Sequence, residues 1–179
     1  EYGGYINQFA SAMKAVDPDI RIVANWRSNF RAWGSWETLL NTAGHNIDIA
    51  DVHWYWDWGN ADWQKWLNQN PMRWENQWVT NGISFAEEIE TFRRKSSQMG
   101  FGHIKLVTFE WNIGPSANNE SFSPLQCALV HSEMIGQFIE GDLDMSCLWA
   151  LQTTPGKKRK FVNRHMLKCE TYEPNPTYY

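Results

Sequence analysis

His103-Ile104-Lys105-Leu106-Val107-Thr108-Phe109-Glu110 is an apolar, β-rich run that ends on a carboxylate, followed by Trp111-Asn112. It is short enough for a buried strand and is bounded on its amino side by Gly100 and Gly102, which predicts a strand over 103–110. Upstream of it, Ser84 stands three residues before Glu87 and opens a helical pattern through Ile89, Phe92 and Met99 to Gly100, a capping box by position. Downstream, Pro124 to Ile139 reads as a long helix ending near Gly141, and Leu143 to Leu151 as a further strand. Working back towards the amino terminus, Ile47 to Tyr55 and Ile20 to Asn25 are strand candidates. Trp36 to Ala43 is a short helix, and Ile6, Phe9, Ala10, Met13 and Val16 fall at helical spacing over 5–16, stopped by Asp17-Pro18-Asp19. Helix and strand therefore alternate four times. Buried strands separated by helices need crossover connections and form a parallel sheet, so the fold class is α/β. In such sheets chemistry collects at the carboxyl ends of the strands.

The chain has 179 residues, 20 Asp and Glu against 16 Lys and Arg, and 42% hydrophobic residues, which suffices for one packed domain or a piece of one and excludes disorder. No stripe of basic residues marks a nucleic-acid surface. No run of about 18 apolar residues suggests a membrane span. The three cysteines, Cys127, Cys147 and Cys169, have neither disulfide-framework nor metal-ligand spacing. No glycine-rich phosphate loop follows any strand, which disfavours a nucleotide-binding domain. The 12 Trp are the largest departure from average, and seven of them, Trp54, Trp56, Trp58, Trp63, Trp66, Trp74 and Trp78, lie in one stretch. Trp63 with Trp66, and Trp74 with Trp78, are spaced to share a helix face. Core packing accounts for at least half of the run, and any indole left exposed is a platform for a polymeric substrate. Residues 1–155 form the domain, and 156–179 read as a basic loop, Lys157-Lys158-Arg159-Lys160, with an irregular tail.

The four strand ends carry Asn25-Trp26, His53-Trp54-Tyr55-Trp56, Glu110-Trp111-Asn112, and Trp149 with Gln152. A carboxylate, a His, a Tyr, amides and indoles on one rim make a sugar site: carboxylates act on the anomeric carbon, amides and His hold hydroxyls, and indoles stack on the apolar faces of the rings. Glu110 is placed as a nucleophile, against the plainer reading of a solvated carboxylate at a strand end. His53 and Tyr55 are two apart on a strand and so share a face. They reach a neighbouring strand's carboxylate or form an interior pair. Asn25 has a plain reading as a turn residue, and Trp149 as core.

With these residues in place, the chain resembles the second half of a retaining glycoside hydrolase whose catalytic domain is a (β/α)8 TIM barrel, most like the α-L-arabinofuranosidase and β-xylosidase-type branches. The pieces that carry the resemblance are Phe9 to Lys14 with Val16-Asp17-Pro18-Asp19-Ile20-Arg21, Asp51-Val52-His53-Trp54-Tyr55, Phe109-Glu110-Trp111-Asn112, and Asp144 to Trp149. It implies a partial barrel of strands five to eight, with Glu110 as catalytic nucleophile, His53 and Tyr55 holding substrate and orienting the nucleophile, and Trp149 as the aromatic floor beneath the sugar being cleaved. Asn25, Trp54, Trp111 and Asn112 complete the expected substrate-binding set. The resemblance further implies a plant- or algal-type polysaccharide or oligosaccharide as substrate, no cofactor or metal, and a secreted or periplasmic location. The acid/base Glu of such families lies in an Asn-Glu pair at the end of strand four. None stands before the helix that starts near Tyr5, and Asn119-Glu120 falls after the nucleophile. The expectation is a fragment without its proton donor that pairs with the missing half of the barrel or with a second copy. The competing expectation is a carbohydrate-binding or assembly module that keeps an aromatic cleft without turnover.

Overall fold

In the computed structural model, residues 1–26, 33–69, 71–73, 82–114, 122–152, 164–168 and 171–179 are described. The central element is β4 (Lys105–Ile113), the run that contains Glu110-Trp111-Asn112. On one side it pairs with β2 (Ile49–Val52) and β3 (Trp54–Trp56), and on the other with β5 (Met145–Leu148), while β1 (Val23–Trp26) lies beyond β2. Every one of these pairings is parallel. Strand order thus follows chain order, as helical crossovers of one hand require.

The single strand expected over 47–55 is two pieces separated at His53, and the cause lies in β4. Asp51 faces Val107 and Trp54 faces Trp111, so β4 spends one more residue than its neighbour over this interval. The same happens on the other side, where Thr108 faces Ser146 and Trp111 faces Leu148. An extra residue opposite both neighbours is a β-bulge, which bends the strand and re-aims its side chains. It sits at Phe109-Glu110.

The helices are α1 (Tyr2–Val16), α2 (Trp33–Ala43), the short α3 (Trp63–Leu67), α4 (Phe85–Gln98) and α5 (Pro124–Glu140). The capping box read at Ser84 and Glu87 is formed, and a second one joins Ser123 to Gln126 ahead of Pro124. The core lies between these helices and one face of the sheet, with Trp36, Trp54, Trp56, Phe85 and Phe92 all fully buried. Trp54 stacks on Phe138 at 5.8 Å between ring centroids and tilts against Phe85 at 5.5 Å.

Burial departs from the sequence reading at the two outer strands. Val23 on β1 and Met145 on β5 are exposed, as are Phe9, Met13 and Val16 on α1, whose helical spacing suggested a core face. The α1 helix packs on α2 through Gly3, Ile6 and Ala10 instead. Among the described residues β1 and β5 each have a neighbour on one side, so residues that a closed barrel would cover face outward. The carboxyl-terminal residues, read as an irregular tail, are docked: Leu167 donates to the Leu151 carbonyl at 3.0 Å and bridges to Pro174, and a 3-10 turn over Pro176–Tyr178 packs on α5. The basic run 157–160, the pair Trp74 and Trp78, Asn119-Glu120 and Cys169 lie outside the described residues. Among the described residues no helix is long and apolar enough to cross a membrane.

Candidate active site

Strand alternation sends Trp54 and Trp56 to the helix-covered face of the sheet, and Asp51, His53 and Tyr55 to the other. The bulge turns Glu110 of β4 towards this second set. The Tyr55 hydroxyl donates to Glu110 Oε1 in a short hydrogen bond. His53 Nδ1 lies 3.4 Å from Glu110 Oε2. On the far side of the imidazole, His53 Nε2 is 3.1 Å from Asp51 Oδ2 and 3.2 Å from Asn25 Nδ2, and that Asn25 amide also donates to Asp51 at 2.7 Å. Three neighbouring strands therefore meet in one network, Asn25–Asp51–His53–Glu110–Tyr55. Burial and the carboxylate it faces raise the Tyr55 phenol well above its ordinary range, so the hydroxyl stays protonated and acts as a donor.

Asp51 is the residue that sequence reasoning did not single out. It is only 4% exposed, and its second oxygen accepts from the Phe109 amide at 2.8 Å. That amide belongs to the bulge, where the regular ladder leaves a backbone group unpaired. Asp51 thus supports the bulge that aims Glu110 and orients the imidazole beside it. The available signal was its position two residues before His53, which puts both on one face of a strand.

The expected substrate contacts divide. Asn25, His53, Tyr55 and Glu110 are brought together. Trp149 follows β5 with 54% of its surface exposed; its amide donates to the Trp111 carbonyl at 3.0 Å and its carbonyl accepts from Asn112 at 2.5 Å. Three others are buried. Trp54 and Trp111 have their indoles in the helix-facing core, Trp111 edge-on to Phe138 at 5.3 Å, because the alternation that sends Tyr55 to one face sends its neighbours to the other. Asn112 is fully buried and holds the scaffold: it accepts from the Ile113 amide at 2.6 Å, contacts His131 Nε2 at 2.9 Å, and donates to the carbonyls of Trp149 and of Arg164, the latter at 3.2 Å. Burial, helped by the nearby charges of Arg164 and His165, pushes the His131 imidazole down to about 3, so it is neutral at neutral pH. Among the described residues no group of three or more His, Cys, Asp or Glu side chains is arranged to hold a metal ion.

No family model matches the chain. Over 129 residues it is 27% identical to the intracellular exo-α-(1→5)-L-arabinofuranosidase of Acetivibrio thermocellus, a match that covers 70% of this chain and 24% of that protein. The GH51 α-L-arabinofuranosidase of Thermotoga petrophila superposes with a TM-score of 0.56 at 17% identity, over 84% of this chain and 30% of the other. A GH86 chain solved with neoagarooctaose superposes with a TM-score of 0.59 at 15% identity, over 97% of this chain and 29% of the other. The chain has the fold of part of a (β/α)8 barrel. Its parallel strands, their alternation with helices and the small share of each neighbour that it spans agree on this. It covers about a quarter of the length of the curated relative that it matches.

Proposed function

We infer that this chain carries the nucleophile-bearing part of a retaining glycosidase site, with Glu110 attacking the anomeric carbon of a plant- or algal-type oligosaccharide. The observation that carries the reading is the pairing of Glu110 with both Tyr55 and His53 at the carboxyl end of a parallel sheet. A nucleophilic carboxylate needs its oxygens held in place, and the Tyr55 hydroxyl and the His53 imidazole, both from the stretch beside β4, each meet one of them. The named activity of the curated relative points to an α-L-arabinofuranoside as the sugar.

Retention requires a second carboxylate about 5 Å from the first, protonating the leaving group and then activating water. Asp51 does not suit that role, because its oxygens are committed to Phe109, Asn25 and His53. The proton donor then comes from the remainder of the barrel. That remainder has a place to seat: α1 and β1 leave a groove of about 390 Å³ lined by Tyr2, Tyr5, Phe9, Met13 and Val23, beside the edge of β1 that has no partner strand among the described residues. The commitment of Asp51 also favours a second reading, a carbohydrate-binding module that keeps the rim without turnover.

An activated aryl α-L-arabinofuranoside separates the two, since its leaving group departs without a proton. The chain is expected to turn it over at trace rate and to leave unactivated oligosaccharides intact. Glu110→Ala is expected to be inactive, and sodium azide is expected to restore product as the glycosyl azide of inverted configuration. Hydrolysis of unactivated oligosaccharide that survives Glu110→Ala would overturn the assignment of the nucleophile.

A further inference from the structure

The Trp-rich run after Trp54 resolves into different fates. Trp54 and Trp56 are fully buried, and Trp63 and Trp66 are half-buried and stacked on each other at 4.7 Å. Trp58 keeps 43% of its surface exposed.

Its position is built rather than incidental. The chain turns sharply at Asp57, whose φ of 51° lies in the left-handed region. The Asp57 side chain is fully buried and ion-paired with Lys65 at 2.8 Å, which pins the turn to α3. On the other side the backbone of Trp58 lies directly against Gly114, where an added Cβ would fall 2.6 Å from the Trp58 nitrogen and Cα; Gly114 also donates to the Trp56 carbonyl at 2.6 Å. The indole stands edge-on to the Tyr55 ring at 5.0 Å and 89°. The hydroxyl of that same Tyr55 donates to Glu110. An exposed indole held this way lies one ring away from the nucleophile. Its exposure is not a consequence of the open sheet edges, because β3, which it follows, pairs with the central strand β4. Trp149, in contrast, follows the edge strand β5.

We propose that Trp58 is the stacking platform for a second sugar ring, adjoining the ring that Glu110 attacks, so that the site prefers oligosaccharides over the free monosaccharide. The proposal rests on the carbohydrate reading of this rim and adds to it a subsite supplied by the loop after β3. A flat apolar surface beside a polar, carboxylate-bearing centre matches the chemistry of a glycan chain, whose rings present an apolar C–H face and polar edges.

The test is calorimetric titration of the full chain with L-arabinose and with short arabino-, xylo-, manno- and agaro-oligosaccharides, for the wild type, Trp58→Ala and Trp58→Phe. The wild type is expected to bind at least one oligosaccharide more tightly than its monosaccharide. Trp58→Ala should weaken that oligosaccharide about tenfold, or about 1.4 kcal/mol, while leaving the monosaccharide within about twofold; Trp58→Phe, which keeps a ring against Tyr55, should fall between. Should Trp58→Ala unfold, as judged by circular dichroism, Trp58→Phe alone decides through the same selective loss. Unchanged oligosaccharide affinity, or equal loss for oligosaccharide and monosaccharide, overturns the role of Trp58 while leaving the carbohydrate reading intact. A wild-type chain that binds none of the panel overturns both.

Discussion

At the amino-terminal end of the sheet, Asp48 accepts from the Ile22 amide at 2.8 Å with Lys14 and Arg21 each 3.4 Å away, and Asp144 accepts from the Leu106 amide at 2.9 Å with Arg93 at 3.0 Å. At the carboxyl end, Asp51 and Glu110 also meet backbone and side-chain donors, but among the described residues those donors are Asn, His, Tyr and an amide rather than Lys or Arg. Both ends tie neighbouring strands together through carboxylates. The difference lies in the partners. A carboxylate flanked by Lys or Arg is tied into an ion pair, whereas one held by amide, phenol and imidazole groups is not. Within the carboxyl end the labour divides again: Asp51 is buried and structural, while Glu110 is partly open.

The sharpest way to break this comparison is Glu110→Gln. Turnover of an activated aryl glycoside should fall by a factor on the order of 10³ or more, while the urea midpoint stays put or rises, since a group held for reaction contributes little to the fold. Lost stability with retained turnover would place Glu110 with the structural carboxylates.

Asp51→Ala should do the reverse. It strands the Phe109 amide in the bulge and removes the partner of Asn25 and His53, so a loss of about 3 kcal/mol is expected in urea unfolding. Asp51→Asn should lose less, because it keeps one acceptor. A change under about 0.5 kcal/mol for the alanine variant would show that the bulge does not depend on this carboxylate.

Acid should separate the two ends. His131, beneath Asn112 at the carboxyl end, has its folded-state pKa lowered to about 3 by burial. Below the ordinary histidine value of 6.5 the unfolded chain takes up a proton that the folded chain refuses, so stability is lost as pH falls, by about 1.4 kcal/mol per pH unit between roughly 6.5 and 3. At the other end partial burial acts to raise the Asp48 carboxyl, but the Ile22 amide, Lys14 and Arg21 outweigh it and hold the group below its ordinary value of 3.8. That contribution is complete above the unfolded value and is lost only as pH drops beneath it. Urea midpoints at about pH 7 and about pH 5, both above the Asp48 range, should therefore differ, and His131→Gln should reduce the difference without abolishing it, because burial also lowers His165, to about 4; an equally steep slope in that variant would mean that His131 does not contribute.

The smallest effect belongs to Asp48→Asn. Its ion pairs are partly exposed and screened, so about 1 kcal/mol or less of stability is at stake, with no change in oligosaccharide binding. A binding defect would mean that the two ends are coupled.

Several features were legible because they are local. The capping box at Ser84 and Glu87, the helix opened by Pro124 and the strand that carries Glu110 each depend on residues a few positions apart; the first two stand where the sequence puts them, while the strand expected to end on Glu110 runs on to Ile113. Asp51 and the break at His53 were hidden because they arise from a bulge in a strand far along the chain, the Asp51 carboxylate meeting an amide 58 residues away. The outward-facing Phe9 and Met13 show the opposite limit: helical spacing reports that a face is apolar and says nothing of what covers it.

By itself the sequence determined the alternation of helices and strands, hence the parallel sheet, and placed Glu110 in a strand with His53 and Tyr55 on one face of another, because side-chain period and capping act within one turn or one strand. Only the tertiary structure decided which indoles are core and which are open, that Asn112 is buried against His131 and the Trp149 carbonyl, and that Glu110 is turned towards Tyr55. Those outcomes depend on register between strands, where one extra residue in β4 re-aims the side chains beyond it, and a register is a property of the pair rather than of either segment.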